Sequence, residues 1–300
     1  MYMVELLFNF LLTLSAVVIG LYCAFHEKKS LLYLAGLFIL SLALINFAPQ
    51  VSFLLFIPLA LTFLKKMSFE NTMTSCMLPV IVISHFVLNN IYLSQPLLVI
   101  IMVLSVTAIS ALGILGTFED KILKYLVISN LLQLVFVVLD LSVGAMVNKL
   151  DVLGTIQVFN YTFAGLLLFI TMGILSANGK RGEIKSLEGL FYGSKTNSSF
   201  AIIAAVSLAG LPGLNIFVSE WFLFVTSFAI SPMIAVMGIF AALVLFIMYF
   251  KIGYVMLVGQ PAKSFTTPKI LTGLGALLAI LCVLLGVVPQ LQLLILTGAI

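Results

Sequence analysis

An acidic side chain inside an apolar stretch is the strongest chemical signal in this sequence. Residues 208 to 228, "LAGLPGLNIFVSEWFLFVTSF", carry the pair Pro212 and Gly213 in their middle and Glu220 further along. A proline and a glycine at membrane depth free backbone groups that lipid cannot satisfy, so such a break has to be buried in protein or line a watery cavity. An ionisable residue beside it is costly in hydrocarbon and is interpreted as functional by default. Because ion pathways use broken helices in this way, the pattern predicts an ion-translocation site.

Glu220 itself has two interpretations. A buried carboxyl group without a fixed counter-charge could load and release a proton near neutral pH. Alternatively, Glu220 caps the second half-helix near its N-terminal end, where the helix dipole favours the ionised carboxylate.

Two basic side chains also lie within apolar runs. His85, in "VIVISHFVLNN", is in the middle of a predicted span, and an imidazole suits a proton relay. The alternative is a core histidine whose hydrogen bonds are satisfied. Lys251, in "LFIMYFKIGYVMLVGQ", is either the exit-side cation of the pathway or a side chain that snorkels to the interface.

Other charged residues are interpreted as boundary or loop residues. Asp140 ends "LVFVVLDLSVG" and is expected at a helix boundary on the outer side of the membrane. Asp120, Lys121 and Lys124 are expected to form a solvated turn that orients the chain, or else to open a half-channel.

The composition of the chain indicates which class of protein contains these residues. Of 300 residues, 63% are hydrophobic and 8% are charged, whereas about a quarter of the residues of a soluble protein are charged. The apolar runs are as long as membrane-spanning helices rather than barrel strands. The three cysteines have no metal-ligand spacing, and no glycine-rich phosphate loop or nucleophile with a neighbouring base is present. We therefore expect an all-α integral membrane protein with no cofactor, no metal and no active site of its own.

Apolar runs between charged or Pro/Gly breaks predict about ten transmembrane helices, of which the eighth is discontinuous. If residues 198–230 make one crossing, all but one of the 14 Lys and Arg residues fall on one side, with Lys149 opposite. Two crossings there would move Lys251, Lys263 and Lys269 to the other side and weaken this asymmetry. The basic loops are therefore predicted to be cytoplasmic or in the matrix, with both termini opposite. The predicted spans are 3–24, 31–47, 50–64, 73–93, 97–116, 125–143, 153–175, 198–230, 233–257 and 269–296.

The segment "SLAGLPGLNIFVSEWFLF" resembles the interrupted-helix motif of the antiporter-like subunits shared by respiratory complex I, Mrp-type cation/proton antiporters and membrane-bound group 4 hydrogenases. Its "LNxFVSEWxLF" form is most similar to the hydrogenase branch. Upstream, "GEIKSLEGL" resembles the family's loop motif, "FNYTFAGLLLFITMGIL" keeps Asn160, Phe169 and Gly173 of a family helix, and "EDKILKYLVISNLLQL" keeps Asp120 and Ser129.

The resemblance begins at "ENTMTSCMLPVIVISH", which places Glu70 on the motif's glutamate and His85 on its intramembrane Lys or His. Full-length members carry two inverted five-helix repeats, and here only about three spans precede residue 70. Residues 1–69 are therefore interpreted as a remnant or replacement of the first repeat, and residues 70–300 as the second repeat with C-terminal helices. Tyr161, Gly165 and Ile122 stand where the family has a His and two Lys.

The resemblance implies an H+ or Na+ translocating subunit of a redox-driven complex of hydrogenase or NADH/ferredoxin:quinone type. Its partners would be sibling membrane subunits, a peripheral iron–sulfur module and lipid, without nucleic acid, in a prokaryotic plasma membrane or mitochondrial inner membrane. The loss of the first repeat leaves open a non-pumping scaffold subunit of the same complex. A free-standing secondary transporter is a further alternative, which would require a substrate cavity between repeats.

Overall fold

The computed structural model describes residues 2–64, 67–91, 93–148, 150–178, 182–260 and 264–297. Within these ranges the chain is built from α-helices and short 3-10 helices and contains no β-strand. The α-helices are α1 (Tyr2–His26), α2 (Ser30–Phe47), α3 (Phe56–Leu64), α4 (Phe69–Asn90), α5 (Gln95–Phe118), α6 (Ile122–Met146), α7 (Leu150–Asn178), α8 (Leu190–Gly193), α9 (Lys195–Leu208), α10 (Asn215–Ile230), α11 (Pro232–Leu257), α12 (Lys269–Val287) and α13 (Pro289–Thr297).

The helices form a bundle that is suited to lipid. Among the described residues, eight helices are long and apolar enough to cross a membrane: α1, α2, α4, α5, α6, α7, α11 and α12. The most apolar part of α7 is entirely buried, and α4 and α6 are buried nearly as well, whereas the outer helices leave large apolar side chains exposed. An apolar exterior of this kind is stable in hydrocarbon. The prediction of a multi-pass, all-α membrane protein is therefore confirmed.

The predicted discontinuous span consists of α9 and α10. The backbone N–H of Gly189, near the start of α9, donates to the carbonyl of Val258 at the end of α11, over 2.8 Å. At the other end, α10 runs into α11 with Ser231 between them, and α11 packs against both α9 and α10. The two half-helices α9 and α10 together therefore extend over the same length as the single helix α11, as predicted for a single interrupted crossing.

Residues 209–214 form the break between the two half-helices. Gly210 (φ 69°) and Gly213 (φ 91°) have left-handed backbone conformations, which glycine adopts without steric cost. Gly286 of α12 lies directly against the backbone of Gly213 and Leu214, where an added Cβ atom would overlap with it. One side of the break is therefore covered by protein, and the small residue at 286 allows this close approach.

The prediction of one continuous crossing over residues 269–296 was wrong. The last apolar segment divides into α12 and α13 at Val288, because Pro289 lacks the N–H that would continue the helix. Gln292 of α13 is fully buried, and α13 packs against α7. The third predicted span is likewise irregular, with a 3-10 helix over Pro49–Leu55 followed by α3.

The connections predicted to carry the basic residues meet at one end of the bundle, which we call the basic end. One cavity there is lined by His26, Met67, Lys121 and Gly182, which belong to four different connections or their flanking helix ends. The backbone N–H of Ile122 donates to the carbonyl of Gly182 over 2.9 Å and joins two of these connections. The charge argument also used six residues that lie outside the described ones: Lys65, Lys66, Lys149, Lys180, Arg181 and Lys263.

The contact between α12 and the break predicts different effects of substitution at two glycines of α12. Replacement of Gly286 by Ala should lower the free energy of unfolding by about 1 to 3 kcal/mol, because the new methyl group overlaps with the backbone of residues 213 and 214. Gly273 of α12 has open space around its missing Cβ, so Gly273→Ala should be neutral or stabilise by up to about 1 kcal/mol. Unfolding of the purified chain in detergent measures both, and equal effects would contradict this packing.

Candidate functional site

Glu220 lies on α10 beside the helix break. The side chain is 4% exposed, and one carboxylate oxygen lies directly against Gly210, so that a Cβ atom at position 210 would overlap with it. Within the part of the chain that the structure describes, no group donates a hydrogen bond to this carboxylate, and the first turn of α10 has no side-chain cap. The described contacts therefore do not fit the interpretation of Glu220 as a helix cap. They place a buried carboxyl group against irregular backbone.

A chain of hydrogen bonds runs from the residue next to Glu220 across three more helices. Ser219 of α10 donates to the side-chain oxygen of Gln157 on α7, and Gln157 donates to Gln133 on α6 over 2.9 Å. The amide nitrogen of Gln133 donates to the hydroxyl of Tyr249 on α11 over 3.4 Å, and the hydroxyls of Tyr249 and Ser129 share a 2.7 Å hydrogen bond. All five side chains are buried. We call them the polar axis.

The polar axis consists of amides and hydroxyl groups, which are neutral near pH 7. Such a chain can orient the helices and satisfy polar groups in hydrocarbon, but an amide does not gain or lose a proton in this pH range. Glu220 directly follows Ser219, the α10 member of this axis. The group that can titrate at the α10 end of this axis is therefore Glu220.

A second set of hydrogen bonds fixes the break to α7 and α13. Ser207 of α9 donates to Asn215, the first residue of α10, so the two half-helices are joined across the break. Asn215 donates to the backbone carbonyl of Asn160 on α7 over 2.8 Å, and the side chain of Asn160 donates to Gln292 over 2.8 Å. The half-helices are thereby held in a defined position relative to the buried helix α7.

The two positions where the family has intramembrane His and Lys are occupied differently. The ring of Tyr161 covers Gly165, where an added Cβ atom would lie 2.8 Å from a ring carbon. The hydroxyl of Tyr161 donates to Asn130 and lies 3.6 Å from the sulfur of Met77. The tyrosine therefore fills the volume that a side chain at position 165 would need, and the two departures from the family pattern compensate each other sterically.

His85 is buried on α4 in a different neighbourhood from Glu220. The amide nitrogen of Asn89 lies 3.1 Å from Nε2 of His85, and the ring packs edge-on against Phe8 of α1, with 5.1 Å between ring centroids. Nδ1 has no hydrogen-bond partner among the described residues. The structure thus keeps His85 within the membrane span, but places it against α1 and not beside the helix break.

Lys251 lies near the basic end of α11, where it binds the end of α5. Its ammonium group donates to the backbone carbonyls of Thr117 and Glu119 over 2.9 and 2.8 Å, and lies 3.5 Å from a carboxylate oxygen of Asp120. Carbonyls at a helix C-terminus lack partners within the helix, and a lysine is well suited to bind them. Lys251 is therefore partly buried and holds α5 against α11, two residues from Tyr249 of the polar axis.

A cavity of about 720 Å³ at the basic end is lined by residues from several helices. Glu70, Lys121, Lys124 and Glu183 contribute charged side chains, and the last three of these are exposed at the surface. Beside it, hydrogen bonds with Ser68, Ser30 and Glu70 lower the pKa of the Glu27 carboxyl group. The cavity therefore combines acidic and basic groups where water can enter.

Sequence reasoning missed part of this site. Asp140 was interpreted as a boundary residue, but the structure places it well before the end of α6 with 1% exposure. Gln133 and Gln157 were not predicted as site residues, because a single amide side chain barely changes the mean hydropathy of a long apolar run. Their signal was available, since a polar side chain in the middle of a membrane span is rare and usually pairs with another.

No protein-family model matches the chain. A stretch of 106 residues is 28% identical to NADH-quinone oxidoreductase subunit N of Desulforamulus reducens. The match covers 35% of this chain and 22% of that subunit, so it concerns only about a fifth of the relative.

Two solved structures share the fold over nearly the whole chain. A chain of respiratory complex I from Thermus thermophilus superposes with a TM-score of 0.61 at 14% identity, covering 97% of this chain and 85% of that one. A chain of the Mrp complex from a Dietzia species gives a TM-score of 0.64 at 16% identity, covering 98% of this chain and 65% of that one. The predicted resemblance to the antiporter-like subunit family is confirmed by these findings. The closer resemblance to the hydrogenase branch stays a prediction.

The contact between Gly210 and Glu220 predicts different effects at the two glycines of the break. Replacement of either Gly210 or Gly213 by Ala should cost about 1 to 2 kcal/mol of stability, because both have left-handed backbone conformations. Gly210→Ala should cost more than Gly213→Ala, since only the former adds a methyl group against Glu220. Unfolding in detergent measures the difference, which should vanish in a Glu220→Ala background. A difference that persists there would contradict the contact.

The polar axis predicts non-additive effects on stability. Gln157→Leu removes the partner of both Gln133 and Ser219, and should lower the free energy of unfolding by about 1 to 2 kcal/mol. The double variant Gln133→Leu/Gln157→Leu should cost less than the sum of the two single variants, because the two residues are hydrogen-bonded to each other. Strictly additive losses would mean that the two amides do not interact.

Proposed function

We propose that this chain is an ion-translocating membrane subunit of a redox-driven complex, and that it moves H+ or Na+. The observation that carries the proposal is the carboxyl group of Glu220, buried against the break between α9 and α10 without a described hydrogen-bond donor. A buried carboxylate with no partner is costly in a membrane and is retained where it has a function. The similarity to subunit N and to chains of complex I and the Mrp complex supports the same class of activity.

In this proposal the host complex is of hydrogenase or NADH/ferredoxin:quinone type. Electron transfer in partner subunits changes the hydration or charge around Glu220, and a rearrangement at the Pro212-Gly213 break controls which side of the membrane it reaches. Glu220 exchanges its proton through intramembrane water with groups that include His85. Because His85 packs against α1, this exchange requires water over a longer path than a direct contact.

The chain is proposed to lie in an energy-transducing membrane, prokaryotic or mitochondrial, with the basic end towards the cytoplasm or matrix and both termini opposite. Ions would enter through the cavity at the basic end, whose exposed rim includes Lys121, Lys124 and Glu183. Lys251 would be the cation of the pathway nearest this end. Sibling membrane subunits and a peripheral iron–sulfur module would complete the complex, and residues 70–300 would correspond to the second repeat of the family.

A non-pumping scaffold subunit is the second candidate. The observation that favours it is the ring of Tyr161 over Gly165, which replaces two titrating family side chains by a closely packed neutral pair. A free-standing secondary transporter is a weaker alternative, because it would require a substrate cavity between two repeats and this chain is proposed to contain only the second.

The proposal predicts the effect of a single substitution. In native membranes, Glu220→Gln should leave assembly intact and lower the number of ions moved per electron, because the amide cannot carry a proton. Ion uptake and electron-transfer rate are measured together, and assembly is checked on a native gel. Glu188→Gln makes the same chemical change at an exposed loop carboxylate and should leave transport unaltered. Unchanged transport by an intact Glu220→Gln complex would favour the scaffold.

A further inference from the structure

Asp140 is a second buried acidic group that the proposed pathway does not yet use. It lies on α6 with 1% exposure, and neither carboxylate oxygen has a hydrogen-bond partner among the described residues. An ionised carboxylate without a partner costs several kcal/mol in a medium of low polarity. Asp140 is therefore stable in this position either with a proton or with a cation that the described residues do not supply.

Glu220 is the charged residue of α10, and α6 packs against α10. Asp140 also follows Gln133 by seven residues, which puts both side chains on the same face of α6. Gln133 is linked through Gln157 to Ser219, the neighbour of Glu220. Asp140 thus lies on the face of α6 that is hydrogen-bonded through Gln157 to α10, next in sequence to Glu220.

The position of Asp140 along α6 defines its place in a pathway. The helix begins at the basic end with Ile122, and at a rise of about 1.5 Å per residue Asp140 is about 27 Å further along. Gln133, which is at the level of Ser219, is about 17 Å along. Asp140 therefore lies between Glu220 and the end of the bundle opposite to the basic end.

We propose that Asp140 is a proton-carrying residue of this chain, which exchanges a proton with Glu220 and connects it to the end of the bundle opposite the basic end. This inference rests on the proposed function. In the exchange, the O–H bond of the Glu220 carboxyl group breaks and an O–H bond forms on the Asp140 carboxylate, with the proton passed through intervening water. Glu220 becomes the carboxylate, and the net charge of the pair stays the same.

The surroundings favour a proton over a metal cation. A dehydrated cation requires several oxygen ligands, whereas the oxygens of Asp140 have no described hydroxyl or amide partner. Among the described side chains, the helices packed against α6 contribute few other titratable groups: α5 has none over residues 95–118, whereas Lys149 and Asp151 lie outside the described side chains. Tyr161 of α7, Tyr249 of α11 and Cys76 of α4 are neutral near pH 7, and His85 of α4 packs against α1.

Chemical labelling of the wild-type chain tests the protonated carboxyl group directly. Dicyclohexylcarbodiimide enters apolar sites and adds to a protonated carboxyl group, which rearranges to a stable N-acylurea. After treatment of native membranes at neutral pH, peptide mass spectrometry should find this adduct on Asp140. Absence of the adduct would overturn the inference. Protection of Asp140 from labelling by added Na+ would also overturn it, since it would indicate a metal-cation site.

Transport by variants tests the proposed exchange. Asp140→Asn should lower the ions moved per electron severalfold in an assembled complex, Asp140→Glu should restore most of the loss, and Asp140→Asn with Glu220→Gln should be no worse than Glu220→Gln alone. If Asp140→Asn transports normally while Glu220→Gln does not, the inference fails and the proposed function stands. If both transport normally, the proposed function fails as well. The labelling experiment decides the inference if Asp140→Asn does not assemble.

Discussion

The interruption of a membrane-spanning helix is the constraint on which the rest of this structure depends. Backbone groups released between α9 and α10 find no water in hydrocarbon, so other parts of the chain have to stabilise them. Gly286 allows α12 to approach the break, Ser207 and Asn215 join its two sides, and Asn160 binds Asn215 from the buried helix α7. With these contacts in place, the side chain of Glu220 lies beside irregular backbone and not beside another helix face. Beside irregular backbone, a carboxyl group can change its hydration and charge.

The polar groups in the interior fall into two kinds with different physical consequences. Ser129, Gln133, Gln157, Ser219 and Tyr249 form a neutral chain that holds four helices together. Glu220 and Asp140 are buried acids, and neither carboxylate oxygen of Asp140 has a described hydrogen-bond partner, so their charge depends on an exchanged proton or ion. A scaffold requires only the first kind. The second kind is costly without a function, and it is the reason for preferring a translocating role.

Hydropathy and loop charge predicted most of the fold, because the length and composition of a membrane span are local properties. The break at Pro212 and Gly213 was predicted for the same reason. The division at Val288 had a local signal in Pro289, which hydropathy alone does not register. The hydrogen bond between Gln292 and Asn160 and the burial of Asp140 could not be predicted from the sequence, since they depend on which helices pack together. The hydrogen bond between Gln157 and Ser219 joins residues 62 positions apart, and no local pattern specifies such a pairing.

The central claim is that Glu220 carries an exchangeable proton beside the helix break. Infrared difference spectroscopy of the membranes in H2O and D2O tests this most directly, because the C=O stretch of a protonated carboxyl group is separate from that of a carboxylate and shifts when its proton is replaced by deuterium. We expect a protonated-carboxyl band that shifts in D2O, changes during redox turnover and is lost in Glu220→Gln. If no band depends on Glu220, or if its band stays constant during turnover, the carboxyl group does not take part in translocation.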